Sequence, residues 1–192
     1  MPYRMNHIFI IEHLEKELYP WCFIEYKNIS KIVGKENLVF MNLEKIKGAG
    51  KLNLYGLCFS ESVQDFLLDP VCVLDPAAEM ALRPHEAKKF RYFIFGGILG
   101  DEPPKQRTKA ELTPLLPKAA VRNIGKEQMS TDNAVRVVKE IIDGKKLGEL
   151  KFQDGIEIRI NDVESILLPY RYRVIKGKPF ISKELVRYLK KK

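Results

Sequence analysis

Five segments of this chain share one character: HIFIIEH at 7–13, LVFMNL at 38–43, VCVLDP at 71–76, RYFIFGGI at 91–98 and AAVRNI at 119–124. Each is a short apolar run without polar alternation. A strand with one wet face alternates, whereas a strand that is apolar throughout has both faces covered. Helical patterns fall between these runs. LEKELYPWCFIEYKNISKIVG (14–34) has helical spacing and a glycine stop, with Pro20 breaking or restarting it. SESVQDFLL (60–68) opens on a serine cap, RPHEAKKF (83–90) gives a further helix, and STDNAVRVVKEIIDG (130–144) has a hydroxyl cap, an acidic first turn and a glycine stop. Strand-like pieces run from LGEL (147–150) to PFIS (179–182), before a basic helix at KELVRYLKKK (183–192). Short unbroken strands alternating with helices define an α/β class, a mainly parallel sheet with helices on both faces. There is no internal repeat or linker, so residues 1–192 read as a single domain ending in a basic helix.

The 192 residues are 45% hydrophobic and 30% charged, which excludes a disordered chain. No apolar run approaches the ~20 residues of a membrane span, and MPYRMNHIFIIEH lacks the features of a secretory leader. Cys22, Cys58 and Cys72 lie in apolar contexts with no CxxC, so buried reduced thiols and a cytoplasmic location are expected. His7, His13 and His85 show no metal-ligand spacing, and no metal is expected. The net charge of +8 suits either a polyanionic partner, such as RNA or a ribosome, or a solubilising surface.

In open α/β sheets, ligands bind beyond the carboxyl ends of the strands. Three informative stretches lie there: DPAAE after VCVL, GGILGDEPP after YFIF, and NIGKEQMSTD after AAVR. Gly96, Gly97 and Gly100 either let the backbone approach a flat ligand or simply build a tight turn. The spacing is GGxxG and no GK[ST] occurs, which excludes a P-loop. Pro103 and Pro104 keep the loop from running directly into a phosphate-capping helix. A ligand without a polyphosphate fits best. Gly125, Gln128, Met129, Ser130 and Thr131 would wall an adenine, with apolar contact on its faces and backbone groups on its edge. The same hydroxyls would serve equally well as a helix cap.

RNIGKEQMSTDNA resembles the third motif of the SPOUT, or α/β-knot, methyltransferases. FGGILGDEPPKQRT, VCVLDPAAE, IIEHLE with WCFIEY, and ESILLPYRY resemble one branch of them, that of the yeast SPOUT-type protein arginine methyltransferase, formerly described as a predicted RNA methyltransferase. The similarity runs from about Ile11 to Tyr172 with the motifs in order. It implies a trefoil-knot fold, which chain-threading statistics alone would argue against, and S-adenosylmethionine (SAM) as cofactor. By matching position, it implies SAM contacts at Leu74 and the turn after it, at Gly96, Gly97, Ile98, Leu99 and Gly100, and from Ile124 to Thr131 with Ala134. It also implies a monomer or a SPOUT-type homodimer.

A sulfonium methyl is already activated, so the enzyme must mainly align the nucleophile and accept a proton. Asp101, at the end of the glycine loop, either accepts that proton or caps the turn before Pro103. An arginine acceptor carries a guanidinium that carboxylates would orient, and the candidates are Asp101, Glu102, Glu12 and Glu164. An RNA acceptor would instead use Arg107, Arg122 and Arg171 on phosphates. Glu164 and Arg171 are also expected to pair with each other. Three functions follow: methylation of an arginine on a ribosomal protein, methylation of rRNA or tRNA, or SAM or RNA binding without turnover.

Overall fold

The computed structural model describes residues 6–191; the opening MPYRM, part of the leader reading, and the final lysine of the basic tail lie outside the described residues. Six strands form one sheet: β1 (Ile8–His13), β2 (Leu38–Met41), β3 (Leu57–Cys58), β4 (Val71–Leu74), β5 (Tyr92–Gly97) and β6 (Ala120–Arg122). Their order is β3-β2-β1-β5-β4-β6 and every pairing is parallel. The five apolar runs supply five of these strands. The sixth, β3, pairs through two residues at the sheet edge and is too short to carry a pattern.

Successive side chains go to opposite faces. Phe9, Ile11, Phe93 and Phe95 face α1 (Pro20–Val33), α2 (Pro84–Ala87) and α3 (Thr131–Ile142). Ile10, Val73 and Ile94 face the other way, where no long helix lies. SESVQDFLL contributes only one 3-10 turn, Val63–Asp65, whose Ser62 side chain accepts from the Gln64 amide; Phe66 is already extended. A wide π turn, Thr108–Leu112, and the 3-10 turn Thr113–Leu115 complete this layer, and Leu112 is fully buried in it. Helices therefore cover one face, and single turns cover the other.

Pro20 starts α1 and does not break it, because the first helical position has no amide to satisfy. Cys22, Tyr26, Ile29 and Val33 recur along one side of α1 and pack on the parallel sheet. Ile24, on the other side, packs on a second, antiparallel sheet of β7 (Phe152–Arg159), β8 (Ser165–Ile175) and β9 (Lys178–Pro179), with α4 (Lys183–Leu189) behind it. Arg173 of β8 reaches Glu140 of α3 through Nε at 3.0 Å and Nη2 at 2.9 Å. The Asn133 side chain accepts from the Arg173 amide at 2.9 Å.

The loop after β4 closes around the end of β6. Asp75 donates its amide to the Arg122 carbonyl on one side of the chain, while Asn123 exchanges backbone bonds with Met80 and Leu82 on the other. The Asn123 side chain also donates to the Ala78 carbonyl at 2.9 Å.

Candidate active site

The loops leaving β4, β5 and β6 meet around a cavity of about 220 Å³. Leu74 and Phe95 form part of its wall from the strand ends, and Ile124, Met129 and Ala134 come from the third loop and α3. Gly96, Ile98, Leu99, Gly100 and Asp101 supply the glycine loop, and Gly125, Gln128 and Thr131 complete the sequence-expected set. Ser130 lies instead at an adjoining cavity.

The loop is fastened at two points. Glu15 accepts from the Leu99 amide at 2.9 Å and from Arg107 Nη1 at 2.6 Å. Gln128 accepts from the Asp101 amide at 3.3 Å and donates to the Asp101 carbonyl at 3.1 Å. Its amide group is thereby committed to holding the loop. Glu15 was not singled out in the sequence, and its partner lies 92 positions away.

Several expected residues have other work. Gly97 is not in the cavity wall: a Cβ there would strike the Tyr26 hydroxyl and lie 3.1 Å from the Glu12 carbonyl, so the missing side chain makes room for α1. At Gly100 a Cβ would meet the Tyr170 ring and the Gln128 amide, again protein and not ligand. Glu12 is fully buried and accepts from Ser62 Oγ at 2.5 Å and the Val63 amide at 3.1 Å; it holds the 3-10 turn and cannot reach a substrate. Burial raises its carboxyl above the ordinary value, and the Ser62 bond lowers it.

The Glu164–Arg171 pair does not form. Glu164 lies in the β7–β8 turn, accepting from Asn161 at 2.9 Å, and it borders neither cavity. Arg171 donates to Asp154 at 2.6 and 2.8 Å and to Glu127 at 2.5 Å. Arg122 is held by Glu86, with Nε 3.0 Å from each oxygen. Arg107 is in the cavity wall but is shared between Glu15 and Glu111. Hydrogen bonding to Glu86 depresses that carboxyl and raises Arg122. Glu102 is exposed beyond the wall, while Asp101 accepts from Lys105 at 2.9 Å.

Across the glycine loop a second cavity of about 200 Å³ shares Ile98, Leu99, Gly100 and Met129 with the first. Its remaining wall is Ser130 with Trp21, Glu25 and Tyr170. The Trp21 and Tyr170 rings stand edge to face, 6.4 Å apart at 82°. Glu25 accepts from Trp21 Nε1 at 2.6 Å and from the Thr131 amide at 3.1 Å. Burial, and then the nearby Asp132, push the Glu25 carboxyl up to about 8. Burial also raises the Tyr170 phenol, whose charged neighbours are Glu25, Asp101 and Glu102. The sequence alone does not mark Trp21, Glu25 and Tyr170 as site residues, although WCFIEY and ESILLPYRY contain them. A glutamate at a core-facing helical position was the available signal.

A parallel sheet whose strand-end loops enclose both a cofactor-sized cavity and the following strand is the architecture of the SPOUT methyltransferases. A dual-specific Trm10 from Thermococcus kodakaraensis has the same fold, with a TM-score of 0.57 at 19% identity over 74% of this chain and 96% of that one. The chain shares that fold. The family model for SFM1-like protein arginine N-methyltransferases matches residues 8–192, and the chain belongs to that family. It is 39% identical to protein arginine N-methyltransferase SFM1 of Saccharomyces cerevisiae, over 95% of this chain and 94% of the yeast protein. The crystal structure of yeast SFM1 with SAM superposes with a TM-score of 0.88 at 37% identity, covering 97% of this chain and 91% of that one. The complex with the demethylated product SAH gives 0.87 at 36% identity, covering 97% and 96%. Among the described residues, no helix is long and apolar enough to cross a membrane and no cluster of His, Cys, Asp or Glu could hold a metal.

Proposed function

We propose that this chain transfers the methyl group of SAM to an arginine side chain of a ribosomal protein, in the cytoplasm. The observation that carries this over RNA methylation is the state of the cations around the cavity. Arg107, Arg122 and Arg171, the residues an RNA backbone would need, are each engaged by one or two carboxylates. Lys105 is engaged by Asp101. Freeing any of them for a phosphate leaves a carboxylate facing another anion, which costs free energy. The charges of the cavity wall balance, Asp75, Asp101 and Glu127 against Lys105, Arg107 and Lys126, so it presents no basic excess to a phosphate backbone.

The apolar surfaces of Leu74, Ile124, Met129 and Ala134 suit the faces of adenine, and the loop backbones suit its edges. Asp101 stands at the end of the loop, with its backbone clamped by Gln128 and its charge offset by Lys105. The family's yeast member bears the name of a protein arginine N-methyltransferase, which supports the same acceptor here. The net charge of +8 suits a partner presented on a ribonucleoprotein surface. The deciding experiment is transfer of radiolabel from SAM into purified ribosomes, followed by separation of protein from RNA and acid hydrolysis. Methylarginine from a ribosomal protein is the expected product. Label confined to a methylated nucleoside would overturn the assignment.

A further inference from the structure

β1 and β5 run in parallel register, with His13 opposite Gly97. Their ladder continues one step past β1, where the Leu14 amide donates to the Gly97 carbonyl at 3.1 Å. In a parallel ladder, a residue that donates to one position of its neighbour accepts from the position two further on. The Leu14 carbonyl is therefore the regular acceptor for the Leu99 amide. The structure shows a different pairing. The Leu99 amide donates to Glu15 Oε1 at 2.9 Å, while the Leu14 carbonyl faces Arg107 Nη2 at a long 3.5 Å. A carboxylate oxygen has taken the place of a backbone carbonyl, and a guanidinium has taken the place of an amide.

A glutamate side chain reaches further than a backbone carbonyl, so the exchange lets the glycine loop leave the sheet and bring Leu99 to the cofactor cavity, whose wall it shares with Ile98 and Gly100. The same Glu15 oxygen accepts from Arg107 Nη1 at 2.6 Å. Arg107 is fixed in turn by Glu111, through Nε at 2.8 Å and Nη2 at 3.0 Å. The Glu15 side chain is only 13% exposed and that of Arg107 25%, so water competes little for these bonds. Glu15 belongs to no hydrophobic cluster of the fold. Its side-chain bonds go to the glycine loop and to the segment that follows it.

We propose that Glu15, held by Arg107, is a positioning residue for the cofactor: its carboxylate sets the Leu99 backbone at the distance that SAM requires. Without that oxygen the Leu99 amide returns to the Leu14 carbonyl, and the loop is drawn back onto the sheet, out of place for the ligand. The proposal rests on SAM as cofactor and is independent of which acceptor is methylated.

The test compares wild type with Glu15→Met, which keeps the length of the side chain and loses the oxygen, and Glu15→Gln, which keeps an oxygen for the Leu99 amide. Calorimetry with SAM and with SAH is the first readout. Glu15→Met is expected to raise both dissociation constants by about 10–100-fold, the range for a lost hydrogen bond to a charged group, and Glu15→Gln to recover most of that loss. In Glu15→Met the KM for SAM should rise by a larger factor than kcat at saturating SAM falls, because Glu15 touches neither reacting group. A lowered unfolding midpoint of the free protein with wild-type affinities would make the role merely structural and overturn the proposal. Glu15→Gln losing as much affinity as Glu15→Met would overturn it too, since the charge toward Arg107, and not the bond to Leu99, would then hold the loop. A second readout covers the case in which Glu15→Met does not fold. With nitrogen-15 leucine, the Leu99 amide proton should resonate downfield in wild type, as a donor to a carboxylate does, and move upfield in Glu15→Gln. A Leu99 proton unmoved by that substitution would remove Glu15 as its acceptor. Wild type that binds neither SAM nor SAH would overturn the cofactor reading itself.

Discussion

Glu25 and Asp132 are two carboxyls buried side by side, and the cost of charging both is set by their immediate surroundings. Burial raises each of them, and for Glu25 the neighbouring Asp132 adds to the rise while the Trp21 and Thr131 donors oppose it. In the unfolded chain both return to the ordinary carboxylate range, near ~4. Between that range and about 8, to which burial raises Glu25, the folded protein therefore holds more protons than the unfolded one. Stability consequently falls as pH rises through that window. Cys22, Tyr170 and Tyr172 also face the pair, but burial raises these groups as well, so they stay neutral there. Thermal melts of the free protein from about pH 5 to about pH 8 should show a declining Tm. Glu25→Gln, which cannot titrate, should flatten the decline. A flat wild-type profile would mean that the pair carries no extra proton. Gly97 and Gly100 make a related point about single residues: their lack of a side chain admits Tyr26 and Tyr170, and the cofactor loop inherits its shape from that packing.

At the scale of elements, α1 is the shared wall. One side packs on the parallel sheet, and the other packs through Ile24 on the antiparallel one. The antiparallel sheet is tied to α3 by Arg173 and Glu140, whose side chains are only 10% and 6% exposed. Glu140 also accepts from Arg136 and Lys145. Removing the acid leaves Arg173 buried without a counter-charge, so Glu140→Ala should cost about 3–5 kcal/mol. The measurement is the urea midpoint, and a change under 1 kcal/mol by that measure (roughly the worth of an exposed pair) would show that the tie does not operate. The strands of the parallel sheet were readable because being buried on both faces leaves an unbroken apolar run. The helix expected over 60–68 was not realised, since Ser62 caps a single turn before Phe66 turns extended to cover the sheet. What the sequence could not carry was the pairing of side chains brought together by the fold. Glu15 meets Arg107 across 92 positions, Glu25 meets the Thr131 amide across 106, and Arg171 takes Glu127 and Asp154 in place of the expected Glu164. The glycine loop and QMSTDNA were legible as cavity walls because loops at strand ends must line whatever lies there. The second cavity was not, because its aromatic residues, Trp21 and Tyr170, come from α1 and β8, far from either loop in sequence.

Over the whole molecule the excess of basic charge and the paired state of the arginines near the cavity pull in different directions, and different elements carry them. Around the cavity the arginines are spent on carboxylates. On α4 and the turn before it, Lys176, Lys178, Lys183, Arg187 and Lys190 are exposed. Exposed cations on a short helix attract phosphate without reading sequence, and each phosphate neutralised adds about one unit to the salt slope of binding. If the +8 serves contact with ribosomal RNA, that contact belongs to this end of the molecule and is independent of the methyl-transfer site. The double variant Lys183→Glu, Lys190→Glu should then reduce the slope of log K against log salt, for a generic RNA duplex, by about 2. Its affinity for SAM and its transfer to an isolated protein acceptor should match wild type, while transfer on intact ribosomes should fall as salt rises. An unchanged salt slope would remove α4 from the RNA contact. A loss of transfer to the isolated acceptor would instead put α4 in the path of the protein substrate.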